Sequence, residues 1–302
     1  MNIIVIGSEG FIGSNLVDFF IKKGHNLVGI DSLLPKNQAA YKYIRVLSFN
    51  YNLEDLIGSF IPDVLIFAGG SSNVQLSLEQ PYLDFEANVT SVSKLLESLK
   101  KINASCKFIH FSSAAIYGNP INLPIKEVDI KRPLSPYGWH KYQSEILCIE
   151  YHVCYNIPTC SLRPFSVYGP GQKKMLFWDL YQKVTNSSHN IELFGTGDET
   201  RDFIFIDDLL NVVDLILNNG DFKGESYNIG SGAESKIRDV AMLFVQELNK
   251  NLILNFNNLK RDGDPLNWKA DVSKIEKLGF ARKMNIDNGI KKYISWLKEK
   301  KY

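Results

Sequence analysis

Two hydrophobic rhythms alternate along the first half of the chain. Short runs rich in Val, Ile, Leu and Phe read as buried strands: NIIVI (2–6), NLVGI (26–30), DVLIFA (63–68), CKFIHFSS (106–113) and IPTCSLRP (157–164). Longer stretches between them carry apolar residues at helical spacing. One, from about Gly13 to Lys23, places Leu16, Phe19 and Phe20 on one face. A second, LDFEANVTSVSKLLESLKKI (83–102), has the stripe Val92, Leu95, Leu96 and Leu99, and a third runs from Tyr137 to about Tyr155. Strands alternating with helices predict βαβ units and a parallel sheet. After Pro170 the rhythm loosens. Short strands such as IELF (191–194) and DFIFI (202–206) mix with helices expected at 207–218, 236–249 and 286–299. The pattern predicts an α/β protein: a larger domain over 1–170, to which parts of the later chain return, and a smaller α/β lobe over 171–302. No internal repeat, low-complexity tract or flexible linker interrupts it.

Composition narrows the classes of function. The 302 residues are 45% hydrophobic and 22% charged, which suits one large globular domain or two intimate ones. A net charge of +1 gives no electrostatic basis for a nucleic-acid or anionic-membrane partner, and the basic end LKEKKY reads as a solvated helix terminus. No apolar run reaches the roughly 18 to 20 residues of a membrane span. The start, MNIIVIG, lacks a basic leader and a cleavage site, so the expected location is cytoplasmic. None of the four cysteines (Cys106, Cys148, Cys154, Cys160) forms a CxxC pair, and reduced thiols are expected. Cys148, His152 and Cys154 on one helix cannot all converge on one ion, so no metal is expected.

Candidate chemistry lies at three places. GSEGFIG joins the first strand to the first helix, with glycines at 7, 10 and 13. A glycine-rich turn there lets backbone N–H groups approach a pyrophosphate at the helix N-terminus. Asp31 ends the second strand, where a carboxylate can accept hydrogen bonds from adenosine ribose hydroxyls and would repel a 2′-phosphate. In SPYGWHK (135–141), Tyr137 and Lys141 stand four apart, on one helix face. The pair by itself fits surface decoration as well as a phenol whose pKa is lowered by a fixed cation so that it exchanges a proton near neutral pH.

Other segments add to these motifs. FSSAAIYG (111–118) places Ser113 at a strand end, SLEQP (77–81) and Asn88 open the long helix, and LRPFSVYGPGQ (162–172) follows the next strand. FGTGDETRDFIFIDDL (194–209), YNIGSG (227–232) and RDGDPLNWKADVSKIEKLGF (261–280) occupy the C-terminal part. Together, and in this order, they resemble the extended branch of the short-chain dehydrogenase/reductase superfamily, the NAD-dependent nucleotide-sugar epimerases and dehydratases of UDP-glucose 4-epimerase type. The resemblance implies a Rossmann-type doubly wound parallel sheet with a smaller C-terminal α/β substrate lobe, NAD as cofactor and a nucleotide-diphosphate sugar as substrate. It implies Ser113, Tyr137 and Lys141 as catalytic residues. For the cofactor it implies Gly7, Gly10, Phe11, Ile12, Gly13, Asp31, Asn50, Tyr51, Ala68, Gly69, Asn88, Ser112, Tyr137, Lys141 and Pro164. For the sugar nucleotide it implies Ser113, Tyr137, Ser166, Arg201, Arg261, Asp264 and Trp268, with the two arginines gripping the pyrophosphate. Tyr168, Phe177 and Trp178 suit either the base and ribose or core packing.

The chain departs from the family pattern at Ser166, where Asn is usual, at Asn50, where Asp is usual, and at Trp139 and His140, which are bulkier than usual inside Tyr-x-x-x-Lys; FAGGSS (67–72) replaces a His-x-Ala-Ala stretch. The implied reaction is epimerisation at C4 of the hexose through a 4-keto sugar. A C4 dehydrogenase or 4-keto reductase is the alternative, and a dinucleotide-binding regulator without turnover a further one. Family dehydratases carry an Asp-Glu pair after the catalytic Ser/Thr, whereas this chain has Ala114 and Ala115, which cannot move a proton. The resemblance also implies a homodimer through helices 83–102 and 137–155, and in Trp268 a bulky indole that would favour hexoses without an N-acetyl group.

Overall fold

A computed structural model describes residues 1–35, 41–47, 52–187, 189–248, 251–259 and 263–300. In chain order the elements are β1 (Asn2–Ile6), α1 (Phe11–Lys22), β2 (Asn26–Asp31), β3 (Lys42–Arg45), α2 (Leu53–Ile57), β4 (Val64–Phe67), α3 (Val74–Glu79), α4 (Pro81–Phe85), α5 (Ser91–Ile102) and β5 (Lys107–Phe111). Then follow α6 (Pro136–Tyr155), β6 (Thr159–Pro164), β7 (Ser166–Tyr168), α7 (Met175–Asn186), β8 (Asn190–Leu193), β9 (Thr200–Phe205) and α8 (Ile206–Asn219). The last are β10 (Lys223–Ile229), β11 (Glu234–Lys236), α9 (Ile237–Glu247), β12 (Ile253–Phe256), α10 (Ser273–Glu276) and α11 (Ile286–Glu299).

The chain forms two compact units. The first comprises residues 1–118, 130–164 and 219–227. Its seven-stranded sheet runs β10-β6-β5-β4-β1-β2-β3, so the five apolar runs read from the first half lie side by side. Their pairings are parallel, with Ile4 opposite Val28 and Leu65, and Ile109 opposite Cys160. This is the Rossmann-type arrangement expected. The order reverses at β1, whose C-terminal end carries the glycine turn, as in folds that place a dinucleotide at the switch point. The stripe Val92, Leu95, Leu96 and Leu99 is fully spent in this unit's core, packed with Leu65, Phe67, Phe108 and Cys148; it is core rather than interface.

The helix expected over 83–102 begins earlier and is interrupted. Pro81 occupies its first turn, where a missing N–H costs nothing. Residues Glu86–Thr90 form a π turn between α4 and α5, with helical backbone at both joints. The Ser91 N–H and the Ser91 hydroxyl, at 2.9 Å, both donate to the Glu86 carbonyl and close the wide turn. Asn88 sits at its centre. Such insertions cluster at functional sites.

The second unit comprises 119–129, 165–218 and 228–302. β9 lies between β7, parallel to it, and β11, antiparallel, while β8 and β12 form a separate parallel pair. Tyr168 and Phe177 belong to its aromatic core, with ring centroids 4.9 Å apart and Phe205 and Phe244 alongside. The strands β3 and β10 and the helices α2 and α7 add to what periodicity predicts. β10 runs into YNIGSG, and its first five residues belong to the first unit.

Candidate active site

The glycine turn is built by contact. Gly7 has φ +83°, and a Cβ there would lie 2.6 Å from the Gly69 nitrogen; a Cβ on Gly13 would lie 1.9 Å from the Gly7 carbonyl oxygen. Only glycine lets the first turn of α1 close against the ends of β1 and β4. The N-cap is Gly10, which supplies no side-chain acceptor, and the first turn holds no acidic residue. Its N–H groups and positive dipole end therefore suit an anion. Phe11 and Ile12 open the helix, half-buried.

Asp31 ends β2 beside this turn. Its Oδ2 accepts the Glu9 N–H at 2.8 Å, and its Oδ1 accepts those of Ser32 and Leu33 at 2.7 and 3.0 Å. A carboxylate has about four acceptor directions, so the side chain is fixed and still has capacity for a ribose hydroxyl. A second carboxylate, Glu9, is buried in the turn itself and accepts the Tyr41 hydroxyl at 2.6 Å. Burial, then this carboxylate, pushes the Tyr41 phenol upward. Ala68 and Gly69 follow β4, with the Ala68 N–H on the Ile6 carbonyl at 2.9 Å. Pro164 ends β6 in a buried position.

Ser113, Tyr137 and Lys141 do converge. Ser113 caps a 3-10 turn over Ala114–Tyr117, its Oγ accepting the Ala115 N–H at 3.1 Å. The start of α6 lies directly on that turn: a Cβ on Gly138 would fall 2.8 Å from the Ala115 carbonyl oxygen. Ser135 and Pro136 start the helix, Ser135 Oγ accepting the Gly138 N–H at 3.3 Å, and the Tyr137 N–H donates to Ser77 Oγ at 3.1 Å. The Tyr137 phenol is buried and pushed up to about 12, chiefly by desolvation, with the Ser113 hydrogen bond pulling it down and the Asp84 charge adding to the rise. Lys141 donates to the Phe111 carbonyl at 2.9 Å, its ammonium 5.9 Å from the Tyr137 ring centroid. Burial lowers its pKa to about 8 against the opposing fields of Asp84 and Glu145. The expectation of a phenol already lowered by Lys141 is thus corrected: desolvation outweighs the Ser113 hydrogen bond, and the phenol stands above its ordinary value.

Around the triad stand buried polar atoms that meet no hydrogen-bond partner among the described residues: the side-chain oxygen and nitrogen of Asn88 and the Ser112 hydroxyl. His110 stacks on Phe67 and burial holds it neutral. Asn88 is anchored through its backbone, whose carbonyl accepts the Ser144 hydroxyl at 3.1 Å. Two further contacts had no sequence signal beyond residue type. Arg163 grips Glu145 through both oxygens, at 2.9 and 2.7 Å, and reaches the Tyr117 hydroxyl at 2.7 Å, tying β6, α6 and the Ser113 turn together. His140 Nδ1 lies 2.6 Å from Asp84 Oδ2.

Of the residues expected to hold the sugar nucleotide, Ser166, Arg201, Asp264 and Trp268 lie in the second unit. Ser166 opens β7, opposite Phe203 on β9. Arg201 on β9 donates to the carbonyls of Thr200 and Leu266, at 2.8 and 3.2 Å, and its guanidinium stands 5.7 Å from the Trp268 ring. Burial lowers its pKa, opposed by the charges of Asp264 and Glu199. Trp268 is only 8% exposed and meets Phe165 edge-on at 5.7 Å. Asp202 is the hub missed by sequence reasoning: fully buried, it accepts the N–H groups of Ser231, Gly232 and Ala270 and the Ser231 hydroxyl, at 2.6 to 3.0 Å. It ties β9 to the loops that follow β10 and Trp268. Asn50, Tyr51 and Arg261 lie outside the described residues.

Comparison with known proteins agrees with this geometry. The chain is 27% identical to the UDP-glucose 4-epimerase of Mycolicibacterium smegmatis over 316 residues, covering 99% of each. The crystal structure of UDP-glucuronic acid 4-epimerase from Bacillus cereus with UDP-glucuronic acid and NAD superposes with a TM-score of 0.89 at 30% identity, covering 99% of each chain. That of UDP-glucose 4-epimerase from Thermotoga maritima with UDP-glucose gives 0.92 at 25% identity, covering 100% of each. Residues 3–230 match the model of the NAD dependent epimerase/dehydratase family. With the glycine turn, the Ser113–Tyr137–Lys141 cluster and a family match over most of its length, the chain belongs to the NAD dependent epimerase/dehydratase family.

Proposed function

We propose that the protein is an NAD-dependent epimerase that inverts C4 of a UDP-linked hexose. The observation that carries this reading is the buried meeting of the Ser113 hydroxyl, the Tyr137 phenol and the Lys141 ammonium at the end of β5. The three relatives described above are 4-epimerases of UDP-sugars. The first unit fits the cofactor: the glycine cradle excludes any Cβ, the N-terminus of α1 is uncapped, and Asp31 is fixed with acceptor capacity to spare. The same Asp31, with Glu9 behind it, disfavours the extra phosphate of NADP. NAD held by these residues would supply reversible hydride acceptance at C4. Tyr137 receives the C4 hydroxyl proton as the hydride leaves and gives it back when the hydride returns to the other face. Ser113 donates to the same oxygen and stabilises its charge. Lys141 and the cationic oxidised ring both favour the phenolate, against a burial effect large enough that the phenol alone would stay protonated at neutral pH. Arg201 binds the diphosphate, and Ser166, Asp264 and Trp268 shape the sugar end. Two copies pair through α6 and the helical run from Pro81 to Ile102.

The test is incubation of the purified protein with UDP-glucose, UDP-glucuronic acid and UDP-N-acetylglucosamine, followed by NMR and by absorbance at the nicotinamide band. A C4-inverted product without net NADH is expected. Stoichiometric NADH release with a keto-sugar product makes the enzyme a dehydrogenase instead.

A further inference from the structure

We propose that Asp84, clamped by His140, is the positioning counter-ion of the Tyr137–Lys141 pair and sets the pH range in which that pair works. The inference rests on the epimerase reading for the roles of Tyr137 and Lys141. Its geometry is independent of that reading. Asp84 lies on α4, which packs against α6, and its side chain is 2% exposed. One oxygen stands 2.6 Å from His140 Nδ1; a carboxylate only accepts, so that nitrogen carries the hydrogen. The other oxygen has no partner among the described residues. The His140 ring is held edge-on by Phe85 at 5.4 Å, and His140 directly precedes Lys141 on α6, three residues after Tyr137.

A half-satisfied buried carboxylate is a poor packing device, because apolar residues of the same volume stabilise better. Its charge has a use at this position. Two carboxylates act on Lys141, Asp84 and Glu145. Glu145 is already matched by the fork of Arg163. His110, the other titratable side chain acting with Lys141, is neutral. Tyr137 feels Ser113 and Asp84. Asp84, held by an imidazole rather than a guanidinium fork, is therefore the carboxylate that acts on both members of the pair. It resists the discharge of Lys141 that burial favours, and it holds the phenol protonated longer. Removing the charge moves both transitions toward acid.

The experiment compares wild type, Asp84→Asn and His140→Gln in the full-length, NAD-loaded protein. Lysine ε-carbon NMR, with the Lys141 signal identified by its loss in Lys141→Arg, reads the midpoint of Lys141 without any substrate. The pH dependence of turnover reads both limbs. In Asp84→Asn the Lys141 midpoint is expected to fall by about one pH unit, the scale of a single nearby charge, and both limbs of the turnover profile are expected to move to lower pH together. His140→Gln, whose amide can still donate to Asp84, is expected to keep the wild-type positions. If Asp84→Asn does not fold, Asp84→Leu, which also removes the charge and fills the volume with apolar atoms, carries the same expectation. Unmoved midpoints, with only turnover or melting temperature reduced, overturn the proposal and leave Asp84 a packing residue. Absence of turnover on every nucleotide sugar defeats the epimerase reading, while the Lys141 midpoint still decides this one.

Discussion

Tyr137 and Lys141 carry opposite displacements, the phenol up to about 12 and the ammonium down to about 8, and both arise first from burial. The protein thus holds each group closer to its neutral form than water would, and the charge of the oxidised cofactor and the field of Asp84 decide when the pair ionises. Tyr137→Phe keeps the ring and removes the proton carrier. Turnover is expected to fall by about 10² or more, with NAD binding surviving by direct titration. Lys141 also leaves a mark on stability. Between about pH 8 and 10.5 the unfolded chain retains a proton on this lysine that the folded chain has shed, so its contribution makes stability rise with pH. The burial penalty is fully present below pH 8 and relieved above 10.5, a difference of about 3 kcal/mol. Urea unfolding of wild type and Lys141→Met across that window is expected to show stability rising more steeply with pH in wild type. Glu145→Gln leaves the Arg163 guanidinium buried without its counter-charge and is expected to cost about 3 kcal/mol in the same assay at pH 7.

At the level of elements, α6 does two jobs with two faces. One buries Tyr137, Lys141, Glu145 and Cys148; the other exposes Trp139, Ile146, Ile149 and Val153 at helical spacing. An apolar stripe on an otherwise solvated helix suits a second copy of the chain. Val153→Asp is expected to shift the mass by light scattering from dimer to monomer at micromolar concentration while the melting curve changes little, since Val153 is 70% exposed. The stripe at 92–99 reads equally well from sequence, yet it is core, because periodicity identifies a buried face without saying what buries it. Strong local signals were legible: the five strands of the first half, the glycine turn, and the Ser113 and Tyr137–Lys141 positions. Invisible were features made by distant segments or by small departures from regularity. The π turn around Asn88 leaves no compositional trace. The Asp84–His140, Glu145–Arg163 and Asp202 contacts join residues 18 to 68 apart in sequence. Trp139 and His140 stood out only as bulky; the fold assigns one to the exposed face of α6 and the other to Asp84.

For the whole molecule, the two units are not successive lengths of chain. The polypeptide passes from one to the other after residues 118, 129, 164, 218 and 227. A fragment ending at 170 lacks β10 and leaves β6 as an unpaired edge rich in apolar residues. It is expected to be recovered as aggregate and the full chain as a discrete included peak; size-exclusion chromatography of both distinguishes the outcomes. The same interlacing bears on how such a protein can change over generations. A substrate unit encoded as one uninterrupted stretch could be exchanged whole by recombination. Here a single crossover anywhere between 119 and 227 would carry pieces of both units, so new specificity has to come residue by residue, on a scaffold inherited intact.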